Sequence, residues 1–95
     1  MELNAYMYLI DGFLRGELSA DDFQTIYMAT FATEHDNMDS ALFAILQDLF
    51  EDVDAFSVLW TEEDENEFRL TEPSLRQEVV DAVEKLKAYQ REQHP

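Results

Sequence analysis

The chain has 95 residues, of which 46% are hydrophobic and 13% aromatic, and its 22 acidic residues against six basic ones leave a formal net charge of −16. That length suits one domain over residues 1–95 with a single modest core, and the aromatic content argues against disorder. The charge argues strongly against direct binding to nucleic acid, where phosphate contacts depend on Lys and Arg, disfavours anionic membrane surfaces and favours a basic partner drawn in by long-range attraction. The absence of cysteine removes disulfides, thiolate zinc sites and thiol nucleophiles.

The first periodic segment contains Leu3, Tyr6, Met7, Ile10, Phe13 and Leu14 at the spacing of an amphipathic helix. It lacks the basic start and continuous apolar run of a signal peptide, and no stretch is long enough to span a membrane; the expected location is cytoplasmic. Gly16 is placed to terminate this helix, with Arg15 in the last turn where the helix dipole favours a cation. Ser19 followed by Asp21 and Asp22 marks the start of a second helix, with a stripe of Phe23, Ile26, Tyr27, Thr30 and Phe31 that frays near Thr33.

After a polar break at 34–37, a third and longer helix is marked by Met38, Leu42, Ile45, Leu46, Leu49, Val53 and Phe56, widened by Phe43 and Phe50, with Asp36 or Asn37 as its cap. The segment TEEDEN, residues 61–66, has no periodicity and reads as a loop or at most one irregular turn. Phe68 and Leu70 are expected to pin the chain to the core beyond it. Thr71-Glu-Pro-Ser opens a fourth helix, with Thr71 as cap and Pro73 in the first turn. Its stripe is Leu75, Val79, Ala82, Val83, Leu86 and Tyr89, its cations Lys85, Lys87 and Arg91 lie toward the C-terminal end, and the tail from Gln90 is expected to fray. Four amphipathic helices with short connections read as an all-α, antiparallel four-helix bundle.

Between Gly16 and Phe68 there are fifteen acidic residues and neither lysine nor arginine. Like charges gathered on a compact body cost stability, so the imbalance points to a strongly basic partner. A solvated face is the plainer alternative, although a mixed-sign surface keeps a protein soluble as well.

Other chemistries fit poorly. Asp52 and Asp54 have the spacing of a calcium loop, but Phe56 takes the next ligand position and no glycine follows. His35 and His94 are too far apart in sequence to suggest a shared metal site, and no metal or other cofactor is expected. Without Cys, a Gly-rich phosphate loop or a Ser–His pair, the chain is not expected to be an enzyme. Trp60, beside the acidic segment, either closes the end of the bundle or anchors an interface. Tyr8 shares that ambiguity, whereas Tyr6 and Tyr27 lie on stripes that face a core.

Four features in order carry a resemblance: the acid-flanked run ALFAILQDLFEDVDAF, the loop TEEDEN, the pair Glu67-Phe68 and the helix LRQEVVDAVEKLK. From about residue 41 to 87 the chain resembles the colicin D immunity family, which includes immunity proteins of contact-dependent growth inhibition systems; its first two helices match in pattern only. The resemblance implies an antiparallel four-helix bundle that covers the active site of a toxin domain cleaving transfer RNA in the anticodon loop. The partner would be the basic C-terminal RNase domain of a cognate bacterial toxin, bound one to one by a monomer. In that family carboxylates occupy the places of RNA phosphates. Carried over by position, Asp54 matches the acid near the end of the third helix, and the second acid falls among Glu62, Glu63, Asp64 and Glu65, where this chain has a few extra residues. Glu51, Asp52 and Glu67 are secondary candidates, with Trp60 as the apolar anchor beside them. A phage or plasmid nucleic-acid mimic that blocks a DNA- or RNA-binding enzyme would need the same acidic face and is the alternative.

Overall fold

The computed structural model describes residues 3–34 and 38–93. Four helices follow in order: α1 (Leu3–Leu14), α2 (Ala20–Glu34), α3 (Ser40–Ala55) and α4 (Glu72–Gln93). Each packs mainly on its neighbours in the ring α1–α2–α3–α4, and α1 closes the ring against α4. The result is an all-α four-helix bundle of 44 × 24 × 23 Å. Among the described residues no strand forms, only two isolated bridges in the α3–α4 connection. No described helix is long and apolar enough to cross a membrane.

Local chemistry sets the helix ends. Gly16 adopts φ +80°, a left-handed conformation that glycine takes without steric cost. Its N–H reaches the Phe13 carbonyl at 3.1 Å and the N–H of Glu17 reaches the Gly12 carbonyl at 2.9 Å, a Schellman closure of α1. Ser19 starts α2 as expected, its hydroxyl accepting from the Asp22 N–H at 3.1 Å.

The start of α3 differs from the sequence reading. Its cap is Asp39, whose carboxylate accepts from the Leu42 N–H at 2.8 Å; Asp36 and Asn37, like His35 and His94, lie outside the described residues. That bond and the Tyr89 hydroxyl hold the Asp39 carboxyl below its usual range. At the far end, α4 does not fray at Gln90 but stays helical to Gln93.

The core joins one face of every helix: Tyr6, Ile10 and Phe13 from α1, Phe23, Tyr27 and Phe31 from α2, Leu42, Leu46, Leu49 and Val53 from α3, and Leu75, Val79, Ala82 and Leu86 from α4. Aromatic rings run through it, with Phe13 stacked on Phe23 at 4.5 Å and Tyr6 meeting Tyr27 edge-on at 5.6 Å. The Tyr27 hydroxyl donates to the Leu46 carbonyl at 2.8 Å, so the ring is buried without a stranded donor, and burial raises its pKa. Ile26 is the exception on the α2 stripe. It is 44% exposed, because the buried spacing Phe23, Tyr27, Phe31 already fills the inward face.

Candidate functional site at the end of α3 and the loop beyond it

The last turn of α3 is secured from three directions. Phe56 leaves the helix in an extended conformation, with its N–H on the Val53 carbonyl at 3.2 Å. From α2, the Gln24 side-chain amide donates to the Val53 carbonyl at 2.9 Å and to the Phe56 carbonyl at 2.8 Å. The Ala55 carbonyl accepts both the Leu70 N–H at 2.9 Å and the Trp60 indole N–H at 3.2 Å. Helix-end carbonyls without intrahelical partners are thereby satisfied, and the connection is tied to the bundle at both of its ends.

The connection is ordered by its own polar groups. Thr61 precedes a single 3-10 turn over Glu62–Asp64, and the Asp64 carboxylate accepts from the Thr61 N–H at 2.9 Å and its hydroxyl at 3.1 Å. Glu65 accepts from the Thr71 N–H at 3.0 Å and its hydroxyl at 2.9 Å. Ser74 first, then Thr71, lowers the Glu65 pKa, as Thr61 lowers that of Asp64. Asn66 and Arg69 exchange backbone bonds of 3.1 and 3.2 Å across a tight turn, and the Asn66 side chain accepts from the Phe68 N–H at 2.8 Å. Arg69 then returns its guanidinium to the face of Trp60, 5.0 Å from the ring centroid.

The sequence-derived candidates separate into four settings. Glu51, Asp52, Asp54 and Glu67 line a groove of about 580 Å³ between α3, α4 and the loop, together with Asp48, Glu78, Phe50, Ala55, Phe68 and Lys85. Glu62 and Glu63 stand exposed on the 3-10 turn, beside a shallow depression of their own. Asp64 and Glu65 are tied into the loop's own hydrogen bonds. Trp60 lies half-buried, its indole N–H spent on α3 and its ring carrying Arg69.

The groove is strongly one-signed. Six carboxylates line it against the single ammonium of Lys85. Partial burial, followed by the charge and hydrogen bond of Glu78 and the charges of Asp48 and Glu51, pushes the Asp52 carboxyl up to about 6. Asp52 on α3 is thus a carboxyl whose charge is disfavoured where it faces Glu78 across the helix pair. Among the described residues no three of His, Cys, Asp or Glu are arranged to hold a metal ion.

Residues 1–86 match the family model described as bacterial self-protective colicin-like immunity. The chain belongs to that colicin-like immunity family. No curated protein and no solved structure matches it. Family membership makes it a toxin-inhibiting immunity protein, and the cognate toxin is its binding partner.

Several residues at this surface of the immunity protein escaped sequence reasoning. Asp48 marks the start of the acidic concentration that the sequence shows up to Glu67 but was not singled out as a contact; it sits three and four residues before Glu51 and Asp52, a helical spacing that places all three on one face of α3. Glu78 and Lys85 are seven apart on α4 and line the same groove, but nothing in the sequence pairs α4 with the acidic face of α3. Gln24 gives no signal at all, because its partners are backbone carbonyls 29 and 32 residues away. Phe68 was expected to pin the chain to the core and does not; it is 74% exposed. Leu70, expected beside it, does tie the chain down, through its backbone bond to Ala55 and its bridge to Phe56.

Proposed function

We propose that the protein neutralises a colicin D-like, tRNA-cleaving toxin domain by laying the α3 end and the following loop over its cationic active site. One domain acts as a monomer in a one-to-one complex. The observation that carries this reading is the carboxylate lining of the α3–α4 groove, six acids to one lysine, running into the exposed acids of the loop. An RNA-cleaving site stabilises phosphate charge with cationic groups, and carboxylates held on a firm frame can meet those groups where phosphates would lie.

The roles divide by setting. Asp54, Glu62 and Glu63 are exposed acids whose side chains take part in none of the loop's own bonds, and they form the salt bridges to toxin Lys and Arg. Asp64 and Glu65 hold the loop's shape while adding to its charge. Glu51, Asp52 and Glu67 extend the negative surface into the groove. Trp60 gives the loop an apolar floor. None of these roles requires chemistry by the immunity protein itself.

The test is co-expression with candidate RNase toxin domains, scored by growth, for the wild type and a variant carrying Asp54→Asn, Glu62→Gln and Glu63→Gln. Removing an acid that faces a desolvated cation is expected to cost about 2–5 kcal/mol of binding, mostly through faster dissociation. Undiminished protection by a folded variant would refute phosphate mimicry at these positions. It would leave toxin inhibition by another surface standing.

A further inference from the structure

The acidic surface also carries an apolar feature that charge does not explain. Phe68 is 74% exposed at the tip of the Asn66–Arg69 turn, and its ring lines the lip of the carboxylate groove. Its position is firm: two backbone bonds close the turn, the Asn66 side chain holds the Phe68 N–H, and Arg69 is stacked on Trp60. The cost of ordering that turn is met before any partner arrives. Val58 and Leu59 are also exposed on the same connection. Trp60 has its indole N–H committed to Ala55, so the aromatic that projects from this surface is Phe68.

We propose that Phe68 is the apolar anchor of the toxin-binding surface and enters an apolar pocket set within a basic protein surface. The inference rests on the docking reading above and adds the shape of the complement. Charge complementarity selects the partner: a ring that shares its groove with Glu67, Asp54 and Asp52 is presented only to a surface that neutralises those acids. An aromatic rimmed by charged groups that exclude water when neutralised has the composition of an interface hot spot. The acids then govern encounter, and the ring governs how long the complex lasts.

Two synthetic peptides of equal length and charge serve as probes, one of lysine and glycine and one of lysine and leucine. The chain's one tryptophan, joined to the Phe68 turn through Arg69, reports binding by its fluorescence. The wild type is expected to bind the lysine–leucine peptide about tenfold or more tightly than its glycine counterpart, in keeping with the weight of aromatic anchors. Phe68→Ser should remove that margin while leaving lysine–glycine binding unchanged. Tyr8→Ser, at an exposed aromatic on α1 that lines a separate depression with Leu9, Leu18 and Ile26, should change neither.

A margin that survives Phe68→Ser, or that disappears in Tyr8→Ser, overturns the anchor assignment. The docking reading is read out separately by Asp54→Asn with Glu67→Gln. If that pair leaves lysine–glycine binding intact, the electrostatic surface is wrong whatever Phe68 does. If the wild type binds neither peptide, both assignments fall. Helical circular dichroism on each variant confirms that it is folded.

Discussion

Asp52 illustrates how one side chain can link charge, stability and binding. Its carboxyl titrates near 3.8 in an unfolded chain and near 6 in the folded one, because burial and then Glu78 disfavour its charge. Between those values the folded state holds more protons than the unfolded state, so stability falls as pH rises through the interval. The contribution is complete below the lower value and gone above the higher one. Asp52→Asn keeps a neutral group in place at every pH. It is therefore expected to raise stability at about pH 7.5 by about 1 kcal/mol, after allowance for the solvent that still reaches the site, and to lose that advantage by about pH 4. Urea unfolding at a series of pH values checks both the sign and the window. A variant that gains nothing at neutral pH would show that the folded protein does not disfavour the charge of Asp52.

At the level of elements, Gln24 connects α2 to the terminus of α3 and to the first residue of the loop. Its amide supplies a second bond to the Val53 carbonyl, beside that of the Phe56 N–H, and one to the Phe56 carbonyl. Gln24→Leu leaves both carbonyls without that donor in a half-buried site, at an expected cost of about 1–3 kcal/mol. Thermal unfolding reports that cost. Exchange of the Leu70 and Trp60 amide protons reports whether the α3 end loosens with it, and faster exchange is the expected result. Elsewhere, most of the helical architecture is legible without coordinates. The stripe from Leu3 to Leu14, the glycine stop and the Ser19 start are local features, and the structure has them where the spacing puts them. Asp39 was missed as a cap because Met38 continues the apolar period and masks the true start of α3. Phe68 and Ile26 were misplaced because hydrophobicity says that a residue can be buried, not that the core has room for it. The acidic stretch was visible as composition, but the groove depends on α4 bringing Glu78 and Lys85 to the acidic face of α3, a tertiary fact without a sequence pattern.

At the scale of the whole molecule, a net charge of −16 on a body with a radius of gyration of 13.2 Å makes self-repulsion unavoidable. The local ion pairing described for Arg76 and Glu72, at 3.1 Å, offsets little of it. Arg76 is more valuable for reaching the Phe13 carbonyl at 3.1 Å and lying over the Phe13 ring at 4.4 Å, where it ties α4 to the end of α1. The excess of acid therefore weakens the free protein, and a cationic partner that binds this surface relieves repulsion as well as making new contacts. Salt separates the two effects. Raising ionic strength from about 0.01 to 1 M shortens the screening length from about 30 to about 3 Å, which damps repulsion within the free protein and attraction to the partner together. The melting temperature of the free protein should rise over that range. The association rate with the toxin should fall by about tenfold or more, with a smaller change in the dissociation rate, as expected for electrostatic steering. Stopped-flow mixing and thermal melts in the same buffers measure both. A melting temperature that falls with salt would show that attractive pairs, not repulsion, dominate the free molecule. An association rate indifferent to salt would detach the acidic groove from toxin capture and leave its charge without a role in encounter.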